Sequence, residues 1–465
     1  MNRVARRPLL VLLVGAMTIG AWFGLSPLRA PGAGVADAPP SPTGLAHGAP
    51  SPSVVGSAVA PSGHASLTAP PTPSGSRPSH PIPGASAPGL VATPYPPRHG
   101  TTSATPLLRA ELDASLERVR AKHGMPGVSA AIMFADGSIW QGSAGLADVG
   151  KRRPVTPDTA FAAASVTKTF TAALILSLVE DHRLSLDSSV KTYLPRLAID
   201  RTTTVRHLLD HTSGLRDFYF HPGIDKALLS KPGLVWDAAR SLRYVGKSYA
   251  KPGVSWHYSN TNYLILGMLA EAVGGAPVAE QLRDRFFTPL GLRHTYYQAV
   301  ARPAGPVAHG YRFTGAGPSL PAIDLNDGTA IVPFTSVVTA SGAAGSIATT
   351  SGDLVRWARA LYAGAALDDD TRAMMVADLV RTAQYKPSVA YGLGVQAVKV
   401  AGQLSLGHSG RFLGSRAILR WLPEERLAIA VLTNQSRSDP NVVLVDLLRQ
   451  ALAPRSDCIT CGPVP

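Results

Sequence analysis

The chain has 465 residues, 45% of them hydrophobic, a formal net charge of +14 and two cysteines. That length allows more than one domain, and that apolar share can bury a sizeable core. A basic surface suits anionic polymers such as teichoic acids, lipid head groups or nucleic acid, but no Lys/Arg run interleaved with aromatics and no recognition motif supports nucleic acid, which excludes it as an expected partner.

The first 30 residues read as an export signal. Arg3, Arg6 and Arg7 precede the uncharged apolar residues 8–25, and Ala36-Asp37-Ala38 offers a small-residue cleavage site further on. The apolar stretch is at the short edge of what spans a bilayer, so a cleaved signal peptide and a retained membrane anchor both stay open. No cysteine follows it, which disfavours a lipoprotein. Residues 26–105 are dominated by Pro, Ser, Ala and Gly and hold about half of the 40 prolines. Six arginines (Arg3, Arg6, Arg7, Arg29, Arg77, Arg98) against Asp37 put +5 of the charge before Pro106. Such a composition cannot offset its ordering entropy by burial, and residues 31–105 are expected as an extended spacer between membrane or wall and the folded body.

The folded body is expected over residues 106–453. Leu108, Leu112, Leu116 and Val119 recur at helical spacing. Residues 128–135 and 138–145 flank Asp136-Gly137, a strong hairpin signal. Ser165-Val166-Thr167-Lys168 then leads into an apolar helical run over 169–179. Residues 191–335 carry helical patterns at 205–209, 234–242, 263–273 and 278–287, separated by Pro- and Gly-rich loops. Strand signals return at 346–349, 394–400, 417–421 and 427–432, the last two around a turn at 422–425. Residues 441–452 close as a helix. The expected architecture is one sheet-and-helix domain assembled from both ends of the chain, with a mostly helical domain inserted. The motifs would meet in the cleft between them. In the tail, 454–465, Cys458 and Cys461 cannot fill a four-ligand zinc site and read as a small terminal disulfide or an intermolecular link.

A serine in the first turn of a helix has a lysine one turn later on the same face. Helix-end N–H groups surround the serine oxygen, which suits a nucleophile whose proton goes to an amine. The pattern recurs at Ser248-Tyr249-Ala250-Lys251, but that copy runs into Pro252-Gly253, a turn. Two later triplets, Tyr258-Ser259-Asn260 and His408-Ser409-Gly410, single out the first. Attack on a carbonyl needs a nucleophile, a proton acceptor, a proton route to the leaving group and an oxyanion hole. Ser165 supplies the first, and Lys168 the second if its pKa is lowered. Tyr258 can shuttle protons, and Asn260 can hydrogen-bond Lys168 and a substrate amide oxygen. His408 is expected on an edge strand facing the serine, Gly410 allows close backbone approach, and the N–H groups of Ser165 and Arg411 can form the hole. Singly, each residue has a plainer reading. Lys168 can snorkel, Tyr258 can be a core aromatic beside Trp256 and Tyr263, and His408 can be a turn residue. The ordered combination is far more specific than any member.

On these residues the chain resembles the serine β-lactamase and penicillin-binding-protein superfamily. Within it the likeness is to the branch of class C β-lactamases, D-alanyl-D-alanine carboxypeptidases and β-lactamase-like esterases, over roughly residues 107–452. Leu208-Leu209-Asp210-His211-Thr212-Ser213-Gly214-Leu215, Tyr391-Gly392-Leu393-Gly394, Val431-Leu432-Thr433-Asn434 and the segment 345–354 support it. The resemblance implies an α+β, β-lactamase/transpeptidase-like fold with an antiparallel sheet flanked by helices. It makes Ser165 the acylated nucleophile, Lys168 and Tyr258 the acid/base pair, Asn260 a substrate-positioning residue and His408-Ser409-Gly410 the third motif. His211 looks like a structural loop residue rather than a base. Class C β-lactamases place lysine where this chain has His408. Histidine looks more like the carboxypeptidase and esterase members, and it predicts activity that titrates between about pH 5 and 8. Arg411 stands where small residues are usual; its side chain either binds a substrate carboxylate or points to solvent. No metal site or cofactor is expected, since the 13 histidines are scattered and His-Glu-x-x-His is absent. The expected protein is an exported, cell-wall or membrane-anchored serine hydrolase taking a cell-wall peptide, β-lactam or ester. A D-alanyl-D-alanine carboxypeptidase leads, ahead of a β-lactamase, an esterase or a non-hydrolytic peptidoglycan- or penicillin-binding protein.

Overall fold

The computed structural model describes residues 103–313, 322–382 and 389–453. The expected export signal, nearly all of the Pro-rich spacer and Cys458 and Cys461 lie outside the described residues. Helix α1 (Pro106–Lys122) starts where the apolar spacing begins, with the Thr105 hydroxyl accepting from the Leu108 N–H and proline at the helix position that needs no N–H. Strands β1 (Gly127–Met133) and β2 (Ile139–Asp148) form the hairpin over Asp136-Gly137, with Gly137 at φ 88°. After β3 (Arg153–Pro154) and β4 (Phe161–Ala162) comes α2 (Thr167–Glu180). The middle of the chain holds α3 (Val190–Tyr193), α4 (Val205–Leu209), α5 (Ile224–Leu229), α6 (Ala238–Leu242), α7 (Asn260–Gly274) and α8 (Val278–Leu282). It continues through β5 (Tyr296–Tyr297), β6 (Tyr311–Phe313), β7 (Ala322–Asp324) and α9 (Thr335–Ser341). Then follow β8 (Ile347–Thr349), α10 (Ser351–Ala363), α11 (Asp369–Ala377), β9 (Val380–Thr382) and β10 (Val389–Tyr391). The order ends with β11 (Gln396–Val400), β12 (Gln403–Phe412), β13 (Ser415–Leu422), β14 (Leu427–Thr433) and α12 (Asn441–Ala451).

Nine strands make one antiparallel sheet in the order β3-β2-β1-β14-β13-β12-β11-β10-β9. The pairing of β1 with β14, Val128 opposite Thr433, joins the two ends of the folded body, as expected from the sequence. Both faces of the sheet are covered, so β1 and β14 are buried at every position and read as continuous apolar runs. On one face Ile132, Ile429 and Val431 pack against Leu108, Leu112 and Leu116 of α1 and Leu444 and Leu447 of α12. On the other, the small Ala428 and Ala430 share a core with Phe170 of α2 and Trp357 of α10.

Four features differ from the sequence reading. The 191–335 region carries α3 to α8, but loops and the strands β5 to β7 make up most of its described residues, and Val205, Leu208, Leu266 and Leu269 share one core with Phe170 and Leu419, so helices and sheet are not separately cored. The helix expected over 234–242 begins only at Ala238, because Asp237 caps it in an extended conformation and the Trp236 N–H is taken by Thr339 Oγ1. The strand expected at 346–349 joins a small sheet with β4 and β5 instead of the large one. Finally, β12 is interior to the large sheet. Its register with β11 stops at Gly407, however, so from His408 onward only β13 flanks it.

The Trp357 ring is fully buried, stacks on Phe170 at 4.0 Å and donates its Nε1–H to Thr169 Oγ1 at 2.9 Å. Trp357→Ala is expected to lower unfolding free energy by about 3–5 kcal/mol, measured by chemical denaturation of the folded body; a loss under about 1 kcal/mol would show that this layer does not carry the core.

Candidate active site

The chain reaches Ser165 through a strained turn. Ala164 has φ 47° without being glycine, a conformation that needs support from its surroundings. The support is visible: the Ala163 N–H donates to Ile347 O (2.8 Å), and the Ile347 N–H donates to Thr167 Oγ1 (3.0 Å). Ser165 thus sits in a short 3-10 turn (Ala164–Val166) just ahead of α2, with 6% of its surface exposed. Gly410 closes the other side. A Cβ there would lie 2.1 Å from Ala163 O and 3.1 Å from the Ser165 nitrogen, so any side chain would push β12 off the serine.

Lys168 lies in the first turn of α2 and is fully buried. Its Nζ is 2.7 Å from Asn260 Oδ1, 2.8 Å from Ala344 O and 3.2 Å from Ser165 Oγ. Burial pushes its pKa down to about 7, against the pull of the Asp217 carboxylate. An ammonium has three donors and meets three acceptors. A neutral amine keeps two donors for the two shorter bonds and turns its lone pair to the serine hydroxyl. The arrangement can therefore take the Ser165 proton without moving a heavy atom.

Asn260 opens α7. Its oxygen is engaged by Lys168, and its Nδ2 donates to Asp217 Oδ2 at 2.7 Å. The Tyr258 ring is buried, with its centroid 4.9 Å from Lys168 Nζ and 6.2 Å from the His408 ring, so it neighbours both groups. His211 packs 4.4 Å from the Tyr258 ring, and its Nδ1 accepts from the Ser259 N–H at 3.2 Å. It braces the tyrosine from behind and makes no contact with Ser165 among the described hydrogen bonds. Gly214, at φ 72°, completes its loop; a Cβ there would meet Ala250 O at 2.2 Å.

His408 is buried, and its surroundings satisfy the neutral ring. Nδ1 can only donate to Ser409 O (2.7 Å), which leaves Nε2 to accept from Tyr391 Oη (3.0 Å). Burial, and then the Lys168 charge, push its pKa well below the ordinary histidine value. The titration expected at His408 between pH 5 and 8 is thus displaced to Lys168. Strand alternation separates the rest of the third motif. His408 and Gly410 pair with Leu419 and Ala417, on the α2 face. Ser409 and Arg411 pair with Ile418 and Arg416, on the opposite face. Ser409 turns to Gln396 Oε1, its N–H at 3.1 Å and its hydroxyl at 3.3 Å. Arg411 is half-buried, and burial beside Arg416 lowers its pKa to about 10. Of the residues expected to bind substrate, these two border the site with backbone, not with side chains.

Three participants were not singled out in the sequence: Asp217, Tyr391 and the Ala344 carbonyl. Asp217 carried a signal, a lone acid between Leu215 and the aromatic run Phe218-Tyr219-Phe220. Tyr391 lay in a segment quoted only for its resemblance, and a backbone carbonyl leaves no mark in a sequence. Outside the three motifs, Asp148, His309 and Asp324 gather within 4.8 Å. His309 already bridges that pair, with Nδ1 2.8 Å from Asp324 and Nε2 3.7 Å from Asp148.

Comparison with known proteins agrees with this geometry. The Beta-lactamase family model matches residues 112–453. Penicillin-binding protein 4 of Amycolatopsis lactamdurans is 30% identical over 344 residues, covering 71% of this chain and 86% of its own. A D-aminopeptidase of Gluconobacter oxydans is 27% identical over 74% of this chain, which spans 62% of that relative's length. The crystal structure of D-amino acid amidase from Ochrobactrum anthropi SV3 with L-phenylalanine amide superposes with a TM-score of 0.64 at 27% identity, covering 74% of this chain and 98% of the amidase. The chain belongs to the Beta-lactamase family and is a serine hydrolase of the β-lactamase fold, related to penicillin-binding protein 4 and the D-aminopeptidases.

Proposed function

We propose that this protein hydrolyses amide bonds on the carbonyl side of D-amino-acid residues through an acyl-enzyme on Ser165, with D-alanyl-D-alanine ends of cell-wall peptides as the leading substrate. The observation that carries this reading is the buried Lys168 amine, 3.2 Å from Ser165 Oγ, with its two other bonds satisfied by Asn260 and Ala344. Neutral Lys168 takes the serine proton as Oγ bonds to the carbonyl carbon. Tyr258 passes a proton to the nitrogen as the carbon–nitrogen bond breaks and the amine leaves. Water then attacks the ester carbonyl, its proton passes by the same groups to Ser165 Oγ, and the carbon–Oγ bond breaks to release the acid and restore the serine. The Ser165 and Arg411 N–H groups hold the oxyanion, and Asn260 offers its second amide N–H to a substrate oxygen.

The names of the relatives support a D-configured acyl group. A second reading, an amidase of free D-amino-acid amides, is favoured by the amidase structure that this chain covers almost completely. The action is proposed to lie outside the cytoplasmic membrane, on the strength of Arg3, Arg6, Arg7 and the apolar residues 8–25 as an export signal and of the Pro-rich spacer. The catalytic body is taken as residues 106–453.

The intact mass of the folded body, followed with benzylpenicillin, is expected to show a persistent adduct that Ser165→Ala abolishes. A transient adduct with penicillin consumed would indicate a β-lactamase. No adduct and no turnover on N-acylated L-Lys-D-Ala-D-Ala or D-phenylalanine amide would overturn the reading in favour of an esterase or a binding protein. Since the protonated lysine cannot accept a proton, kcat/KM is expected to rise with pH through Lys168, around a midpoint of about 7; a flat profile from pH 5.5 to 8.5 would remove Lys168 as the base. Lys168→Ala should lower acylation by about 10²–10⁴-fold. Because Arg411 faces away from Ser165, Arg411→Ala is expected to change KM for carboxylate-bearing substrates by less than about threefold; a larger rise would restore the carboxylate-binding role.

A further inference from the structure

Asp217 is an acid with 1% of its surface exposed. Burying a carboxylate is costly unless its oxygens are bonded and its charge is answered. Both oxygens are taken by donors from different parts of the chain. Oδ1 accepts the Tyr219 N–H at 3.0 Å, capping the 3-10 turn Phe218–Phe220, and Oδ2 accepts Asn260 Nδ2 at 2.7 Å. A cap alone needs one acceptor, which asparagine or serine would also supply. Asp217 meets the Tyr219 N–H on one oxygen and the Asn260 side chain on the other, with the Asn260 backbone N–H also directed at its carboxylate, more than a single cap acceptor supplies.

The second bond reaches the chemistry. The amide of Asn260 has two faces of opposite polarity. With its NH2 on Asp217, its oxygen must face Lys168, where it lies 2.7 Å from Nζ. The reverse orientation would set an oxygen against the Asp217 carboxylate and an NH2 against the amine, two repulsive contacts. Charge follows the same line. The ionisable groups around Lys168 are His211 and His408, both kept neutral by burial, the rings of Tyr258 and Tyr263 at 4.9 and 5.3 Å, and Asp217. Around Asp217 stand Tyr219, Tyr249 and Arg216, the last lying over the Tyr249 ring. Asp217 is the acid whose charge favours protonated Lys168; burial pushes its own pKa up, while its N–H donors and the lysine hold the carboxylate charged.

We propose that Asp217 is a positioning residue for acylation of Ser165, fixing the Asn260 amide with its oxygen toward Lys168 and setting one buried negative charge behind that pair. The proposal rests on the acyl-enzyme reading above. It makes the Asp217–Asn260–Lys168 line a single unit in which the acid sets both the direction and the basicity of the amine.

The test is the pH dependence of Ser165 labelling by a fluorophosphonate. That probe forms the serine oxygen–phosphorus bond, expels fluoride and gives the serine proton to Lys168, whatever the natural substrate is. With Asp217→Asn the midpoint of the acid limb is expected about one unit lower, because the lysine loses the charge that favours its protonated form. The plateau should fall about tenfold or more, as Asn260 loses its fixed orientation. A lower plateau with the wild-type midpoint would reduce Asp217 to a cap and overturn the proposal. Asp217→Glu keeps the charge and both oxygens one methylene away, and it serves if Asp217→Asn does not fold. Its midpoint should stay with the wild type while its plateau falls. A displaced midpoint, or an undiminished plateau, would overturn the proposal. Failure of the wild type to label would remove the nucleophile and the role of Asp217 together. Labelling without turnover on D-amino-acid amides would count against the substrate reading alone.

Discussion

The structure depends on keeping one amine out of water. Lys168 lies at the junction of three segments far apart in sequence: α2 carries it, Asn260 at the start of α7 accepts one bond, and Ala344 just before β8 accepts another. Desolvation of this kind penalises the ammonium and leaves the free amine competitive near neutrality. The segments must therefore pack closely enough to exclude solvent. The packing answers that need, with twelve α2 residues buried, from Thr167 to Leu178. The Thr171 hydroxyl adds a bond to Ala343 O at 2.7 Å, so α2 and the Gly342–Ala344 turn are held at two successive carbonyls. The helical region of the middle chain thus completes the environment of the base as well as covering the sheet.

The same constraint explains why His408 is neutral. A second cation buried beside Lys168 would repel it and push both groups toward deprotonation. Histidine can stand there without charge, donating from Nδ1 to Ser409 O and accepting from Tyr391 at Nε2. Titration passes to the lysine because the lysine is the group whose two protonation states are both accommodated. Its ammonium finds three acceptors, and its amine finds two acceptors and a hydroxyl donor. Tyr391 keeps the histidine ring upright from the neighbouring part of the sheet and so belongs to the supporting frame.

Much of this was legible in the chain because local chemistry and tertiary need coincide there. Asp136-Gly137 fixes a hairpin by turn geometry alone, and the Leu108-Leu112-Leu116 spacing fixes α1. Ser165 and Lys168 are three residues apart because a nucleophile and a base must share one helix face. What was not legible came from partners distant in sequence. The Ala344 carbonyl has no side-chain signature. Asp217 was not singled out because its partner, Asn260, lies 43 positions on. The helix expected at 234–242 lost its first turn to Thr339, a partner about a hundred residues away. Arg411 was ambiguous in sequence, and strand alternation puts it beside Arg416.

The geometry also separates what is general in this site from what is particular. Ala164 at φ 47° and the bare Cα of Gly410 bring two backbone segments together around Ser165, and that approach is indifferent to the leaving group. So is the amine, which needs only a hydroxyl to deprotonate. A penicillin-binding protein, a D-aminopeptidase and a D-amino acid amidase can all be relatives of one chain because they can share this junction and differ outside it. Discrimination must then come from side chains that surround the serine without bonding to Lys168. In this chain Trp256, Tyr258 and Tyr391 pack together next to His211, with Trp256 and Tyr258 keeping a little exposed surface and Tyr391 fully buried behind His408. Rigid aromatic surface discriminates by shape rather than by charge.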